Sequence, residues 1–197
     1  MPDETGDAIG SQVCRQVERI GDDYLALAHL RVNGLPLTQF DPQWPSVCVV
    51  ESHGHDQCRW RPVRMPRPPA FSRLADALEV PILPALRAFF SVRWSAALPV
   101  TFLDNDLDLL QLWSEQDFEH LVANLIGHAL EKRRIRQPLT LFFALVDDDR
   151  LLSVDNDTGA VFLETLGQRH PLEVCASLPE FLAQLQVRWP ETPGSSH

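Results

Sequence analysis

Residues 102–119, FLDNDLDLLQLWSEQDFE, contain six carboxylates and neither Lys nor Arg. Acidic groups at this density can bind a metal ion, act as general acids or bases, or attract a basic partner. Their spacing and neighbours must therefore distinguish three kinds of site. The six residues are Asp104, Asp106, Asp108, Glu115, Asp117 and Glu119.

A calcium site is the first alternative. Three of the aspartates and Glu115 match positions 1, 3, 5 and 12 of a calcium-binding loop. The loop needs Gly at position 6 for its sharp turn, whereas Leu109 stands there within a strand-like run. The strand-like segment LPVTF precedes the run where an EF-hand has a helix. We therefore favour acids exposed on a strand and a helix start over a calcium site.

A zinc site is the second alternative, because Cys48, His53, His55 and Cys58 form a C-x4-H-x-H-x2-C cluster. Structural zinc sites use more closely spaced ligand pairs. A buried thiol on each strand of a hairpin, joined by a polar turn, explains the pattern better. The four cysteines, which include Cys14 and Cys175, are scattered, and no disulfide is predicted. No metal or cofactor is predicted.

Catalytic motifs are absent from the sequence. It contains no nucleophile elbow, phosphate-binding glycine loop, H-E-x-x-H helix or dinucleotide fingerprint. His120 and His128 are interpreted as polar groups on the surface of a helix. The sequence predicts a protein that is not an enzyme.

The charge of the chain indicates the class of partner. The formal net charge is −10, which opposes binding to nucleic acid and favours a basic partner. A local cluster of arginines around Trp60 is interpreted as a solvated strand face that could contact anionic lipid headgroups. Its members are Arg59, Arg61, Arg64 and Arg67.

The location and organisation of the chain follow from its composition. No apolar run approaches the roughly 20 residues that span a bilayer, and the N-terminal segment MPDETGDAIG does not resemble a signal peptide. A cytoplasmic location is predicted. Length and apolar content predict one domain over residues 1–189, with a disordered polar tail over 190–197. No extended heptad pattern is present, so a monomer is expected.

Hydrophobic periodicity and turn residues predict an α+β fold with a mainly antiparallel or mixed sheet and flanking helices. Ser114 and Asp117 form a variant capping box at the start of the longest helix, which ends before Pro138. The other predicted helices cover 11–31, 71–80, 84–94 and 177–189. Strands are predicted at 45–51, 58–63, 98–102, 107–113, 140–146, 151–154 and 160–164, with turns that include 54–56 and 104–106.

Four sequence elements resemble the Syd family of bacterial SecY-interacting proteins. They are L-L-Q-x-W-S-E-x-D-F from Leu109, N-L-I-G-H from Asn124, N-x-x-G-x-V-x-x-E-x-L-G from Asn156 and S-L-x-E-F-L from Ser177. The resemblance is looser upstream of these elements. It implies an α+β fold of the SUKH-like superfamily, with a groove used for protein contacts.

The resemblance also implies a function. Members of the family are expected to bind the basic cytoplasmic loops of the SecY translocation channel through an acidic groove, as peripheral proteins on the cytoplasmic side of the inner membrane, and to monitor or modulate the translocon. Family acids are expected at Asp104, Glu115, Asp117, Glu164 and Glu79. Three further acids are additions of this sequence and possible additional binding residues: Asp106, Asp108 and Glu119.

Two other functions stay open at the level of sequence. The superfamily also implies an immunity-type protein that neutralises a basic toxin domain, for which an acidic groove would serve equally well. A metal-dependent enzyme or sensor would instead use the aspartate strand or the Cys/His hairpin.

Overall fold

Five α-helices occur in the part of the chain that the computed structural model describes, residues 4–168 and 170–190. The helix predicted over 11–31 is present and begins earlier, at Glu4. Of the predicted tail, residues 191–197 lie outside the described residues. The helices are α1 (Glu4–Val32), α2 (Ser72–Leu78), α3 (Pro84–Phe89), α4 (Glu115–Arg134) and α5 (Leu178–Ala183).

Twelve strands, counted over the same residues, form three sheets. A small sheet has the order β1-β3-β2 and contains the predicted hairpin, in which Gly54 has a φ of 73°. A second sheet pairs β4 with β5. The strands of these two sheets are β1 (Leu37–Gln39), β2 (Val49–His53), β3 (Gln57–Trp60), β4 (Val63–Arg64) and β5 (Arg93–Trp94).

The main sheet has seven strands in the order β11-β10-β9-β8-β7-β6-β12, and every neighbouring pair is antiparallel. The predicted α+β class is therefore confirmed. The strands are β6 (Leu98–Phe102), β7 (Asn105–Leu109), β8 (Thr140–Leu145), β9 (Arg150–Asp155), β10 (Val161–Thr165), β11 (Leu172–Cys175) and β12 (Gln186–Val187).

Helices cover both faces of the main sheet. Phe142 on β8 contacts His128 of α4, whereas the next residue, Phe143, contacts Phe89 of α3 and Phe181 of α5. Successive residues of a strand point to opposite faces. Helix α4 therefore lies on one face, and α3 and α5 lie on the other.

Two predicted helices are too long. The segment 84–94 stops being helical at Phe89, and Arg93 and Trp94 pair with β4. The segment 177–189 stops at Ala183, and its residues Gln186 and Val187 pair with β6 as the edge strand β12. In both cases a strand from a distant part of the chain offers backbone hydrogen bonds, which local periodicity does not reveal.

Candidate functional site

The β6–β7 hairpin carries the first three acids of the predicted site. The turn consists of Leu103 and Asp104, both with positive φ (46° and 63°), as expected for a two-residue type I′ turn. The sequence predicts this turn at 104–106, whereas the structure has it at 103–104. Asp106 therefore belongs to β7 and not to the turn. Asp104 is exposed at the tip of the hairpin.

Asp106 and Asp108 share one face of β7. Their neighbours Leu107 and Leu109 are buried on the other face, opposite Val100 and Leu98 of β6. Phe102, on that same buried face of β6, packs 4.7 Å from Phe181 of α5, measured between ring centroids. Because α5 and α4 lie on opposite faces, the two aspartates point to the face that carries α4.

These two aspartates share a cation. Arg188, which follows β12, lies 2.9 Å from Asp108 Oδ1 through Nη2 and 3.6 Å from Asp106 Oδ2 through Nε. In the described part of the chain, Asp104 has no cationic group within 4.0 Å. The negative charge of the strand is thus partly balanced, whereas that of the turn is not.

The start of α4 positions the next acids. The Ser114 hydroxyl accepts a hydrogen bond from the Asp117 N–H at 3.3 Å, and Asp117 Oδ2 accepts one from the Trp113 N–H at 3.0 Å. Ser114 is therefore the N-cap, as predicted, but the capping box is only half formed, because the Asp117 side chain accepts from the Trp113 N–H and not from the Ser114 N–H. Asp117 has a structural role beside its charge.

Glu115 and Glu119 differ in their surroundings. Both are exposed, but Glu119 pairs with Arg73 of α2. Glu115 has no ion-pair partner among the described residues. The apolar face predicted for this helix is buried: Phe118, Leu121, Val122, Leu125 and Ala129.

Glu79 does not join these acids. It is the left-handed C-cap of α2, with a φ of 59°, and its side chain is exposed. The preceding carbonyl, that of Leu78, accepts a hydrogen bond from Arg133 in the last turn of α4. Because α4 has 20 residues and is about 30 Å long, Glu79 lies near the end of α4 that is opposite Glu115.

Glu164 lies in a buried polar network instead of on the surface. It is 8% exposed, and Lys132 Nζ is 2.6 Å from its Oε2. The Thr140 hydroxyl donates to Oε1 at 2.6 Å, and the Ser153 hydroxyl also donates to this atom. Burial opposes ionisation, but the hydrogen bonds from these groups and from His128 outweigh it and lower the pKa of Glu164 to about 2.

His128 completes the network, contrary to its interpretation as a surface group. Its Nε2 is 3.2 Å from Glu164 Oε2, and its Nδ1 is 3.1 Å from the Thr140 carbonyl oxygen. His128 and Lys132 are four residues apart and so lie on one helix face. This spacing was the sequence signal that both side chains could reach the same carboxylate. His120 is exposed, as expected, and its ring is 5.0 Å from that of Trp44.

The candidate metal donors are separated by burial. Cys48 and Cys58 are fully buried, whereas His53 and His55 are exposed. Burial raises the pKa of both thiols and so disfavours the thiolate form that binds zinc. Within residues 4–168 and 170–190, no three His, Cys, Asp or Glu side chains are grouped as a metal ion would require.

The arginine cluster is mostly exposed, while Trp60 points into the core, 1% exposed. Arg59 is the exception, since it is half-buried and donates to the Leu35 carbonyl at 3.0 Å. Arg61, Arg64 and Arg67 are free to face solvent or another surface. No helix in the described residues has the length and apolar character to cross a membrane.

The chain matches one protein-family model over residues 15–187, with the description Syd protein (SUKH-2). It is similar to Protein Syd of Pseudoalteromonas atlantica, at 40% identity over 75% of this chain and 82% of that protein. Protein Syd of Alteromonas mediterranea is 36% identical over 88% of this chain and 95% of its own length. Protein Syd of Salmonella arizonae is 37% identical over 72% of this chain and 78% of its own length.

The family match covers the hairpin, helix α4 and the Glu164 network together, and the relatives are aligned over most of their own length. This chain therefore belongs to the Syd family.

Proposed function

We propose that this protein is a non-enzymatic binding protein that uses the β6–β7 hairpin and the start of α4 to bind basic cytoplasmic loops of the SecY channel. It would act in the cytoplasm as a peripheral protein on the inner membrane and would monitor or modulate the translocon. Membership of the Syd family supports this proposal, because the family resemblance implies that partner.

The observation that carries the proposal is the uncompensated charge at two places, the hairpin tip and the first turn of α4. Asp104 and Glu115 are exposed, and no described cation lies within 4.0 Å of either. Asp106 and Asp108 lie between them on β7 and have one arginine for two carboxylates. These acids would attract the Lys and Arg side chains of a partner. This electrostatic attraction would raise the association rate of the two proteins.

The acids that sequence and resemblance placed together divide into three roles in the proposal. Asp104, Glu115, Asp106 and Asp108 face the partner, with Asp117 and Glu119 at the margin because each already has a structural contact. Glu79 would contribute only at long range. Glu164 would act indirectly, by holding α4 on the sheet.

The experiment compares three proteins: the wild type, Asp104→Lys/Glu115→Lys, and a control, Glu173→Lys. Glu173 is exposed on β11, four strands away from β7 and so about 19 Å distant. Each protein is floated with liposomes that contain purified SecYEG and with liposomes of the same lipids without it, from low salt to several hundred millimolar. Association kinetics are measured on the same samples.

We expect the wild type and the control to bind only the vesicles with the channel, with affinity that falls as salt rises, because charge attraction is screened over about 8 Å at physiological ionic strength. The double variant should associate at least tenfold more slowly at low salt. Equal association by the double variant would refute the assignment of this surface. Equal binding to both vesicles would indicate lipid and the arginine cluster, and no binding to either would indicate a soluble partner.

A further inference from the structure

An apolar groove lies beside the acids, between the segment before β2, the β4–β5 pair and the first turn of α4. Its volume is about 650 Å³, which is enough for a large side chain. Apolar side chains form most of its wall. They are Pro45, Val47, Val63, Pro66, Trp94 and Trp113.

Contacts within the protein fix the walls of the groove. The Ser46 hydroxyl donates to the Trp113 carbonyl at 2.5 Å and accepts from the Cys48 N–H at 3.1 Å. On the other side, the Ser95 N–H donates to the Leu112 carbonyl at 2.8 Å. Trp113 also packs edge-on against the buried Trp60, with the ring centroids 6.2 Å apart. A groove held in this way needs little ordering when a ligand binds.

The groove leaves apolar surface exposed to water. Val47 is 65% exposed although its neighbour Cys48 is fully buried. Trp94 and Trp113 line the groove, and tryptophan is one of the residues that contribute most of the binding energy in protein interfaces. A ligand that covers Val47 would remove this surface from water.

Carboxylates border the groove on the other side of Trp113. That residue also lines a second cavity, of about 560 Å³, together with Asp41, Asp56 and Asp117. None of these three acids has a cation within 4.0 Å in the described ranges. Glu115 and Arg64 both line the apolar groove itself. Together, the two cavities are therefore lined by four carboxylates and by one arginine.

We infer that the groove receives a large apolar side chain from a basic protein segment, one in which Leu or Phe stands next to Lys or Arg. The apolar residue lies against Val47, Trp94 and Trp113, and the flanking cations reach Asp117 and Glu115. This inference rests on the proposed function and specifies the kind of loop that the surface selects. Charge sets the speed of encounter, and the buried apolar side chain sets the lifetime of the complex.

The first test uses two synthetic peptides of equal charge, Lys-Arg-Leu-Lys-Arg and Lys-Arg-Ala-Lys-Arg, with blocked ends. Binding is followed by titration calorimetry and by tryptophan fluorescence at low salt and at 500 mM salt. The Leu peptide should bind at least tenfold more tightly, which corresponds to about 1.4 kcal/mol, and this ratio should survive at high salt. Equal affinity of the two peptides would overturn the inference.

The second test uses Val47→Asn, which keeps the charge and changes an exposed side chain, with Val50→Asn as its matched control. Val50 is also exposed, at 51%, but does not line the groove. We expect Val47→Asn to dissociate from SecYEG vesicles about fivefold to tenfold faster with an unchanged association rate, and Val50→Asn to behave like the wild type. Unfolding curves of both variants verify that they are folded.

The outcomes separate this inference from the proposed function. Selective binding of the Leu peptide without binding to SecYEG would support the groove and reject the SecY partner. Binding to SecYEG with equal peptide affinities and no effect of Val47→Asn would support the partner and reject the groove. A faster association rate for Val47→Asn, with dissociation unchanged, would also reject the groove as the determinant of lifetime.

Discussion

Glu164 and Glu115 are the same kind of acid in opposite settings. Glu164 is buried beneath α4 and receives hydrogen bonds from four side chains, two of which are Lys132 and His128. Glu115 is exposed on the first turn of the same helix and has no described cation within 4.0 Å. Two glutamates predicted for one acidic surface therefore differ in burial and in hydrogen-bond partners, and these two properties determine whether a carboxylate is open to solvent.

The energetics of the two settings also differ. Removal of one partner from a buried ion pair leaves a charge without compensation and costs about 3–5 kcal/mol. An exposed carboxylate contributes little to folding, usually within about 0.5 kcal/mol, and remains available to a partner. The buried network therefore stabilises the helix that presents the exposed acids.

The largest expected effect comes from Glu164→Gln. This change leaves Lys132, which is 7% exposed, without its carboxylate, so the free energy of unfolding should fall by about 3–5 kcal/mol. Urea denaturation at pH 7 measures it. Glu115→Gln is the matched control and should change the value by less than about 0.5 kcal/mol. Similar values for the two variants would remove the distinction between the regions.

The pH dependence of stability should be the next largest effect. The pKa of Glu164 is lowered from 4.5 to about 2 in the folded protein, so its contribution is complete above pH 4.5 and is lost as the pH falls from 4.5 towards 2. That contribution is about 3 kcal/mol. In urea denaturation, the difference in unfolding free energy between the wild type and Glu164→Gln should therefore shrink as the pH falls from 4.5 towards 2. A constant difference between the two proteins from pH 6 to pH 2.5 would contradict the ionised network.

Asp117 combines the two settings, and two substitutions separate its roles. Asp117→Asn keeps an acceptor for the Trp113 N–H but removes the charge, so it should slow association with SecYEG while it lowers the unfolding free energy by less than about 1 kcal/mol. Asp117→Ala removes the acceptor and the charge together, and should lower the unfolding free energy by about 1 kcal/mol more than Asp117→Asn does. Identical stability of the two variants would mean that the bond to Trp113 contributes nothing.

Arg188→Gln should have the smallest effect. It removes the cation that Asp106 and Asp108 share, so the negative potential of β7 rises and association with SecYEG should become about twofold to threefold faster at low salt. The increase should disappear at several hundred millimolar salt. Slower association at low salt would indicate that Arg188 orders the two aspartates for binding. Thermal unfolding serves as the control for an intact fold.

Features that depend on neighbours in the chain were predictable from the sequence. Ser114, the acid three residues later and the apolar spacing of Phe118, Leu121 and Leu125 are local, and all are found as predicted. The exposed position of Asp104 and Glu115 follows likewise from a polar turn and a helix start. The resemblance through four motifs indicated the family to which the chain belongs.

Features that depend on distant parts of the chain were not predictable in this way. Glu164 is 36 residues from His128 and 24 from Thr140, and only the packing of α4 on the sheet brings them together. The strand β12 was predicted as helix because its partner, β6, lies more than 80 residues earlier. The groove at Trp113 likewise combines residues from the β2 approach, the β4–β5 pair and α4.

Charge, helix capping and hydrophobic periodicity act over a few residues, so the excess of acid, the capped helix and the α+β class follow from the sequence alone. The burial of Glu164, in contrast, depends on the packing of α4 on the sheet, which brings His128 and Thr140 to this carboxylate. Burial depends on what other elements cover a residue, and the free energy of a carboxylate depends on whether water or protein donors surround it. For this reason Glu164 stabilises the fold, whereas Asp104 and Glu115 remain exposed to solvent.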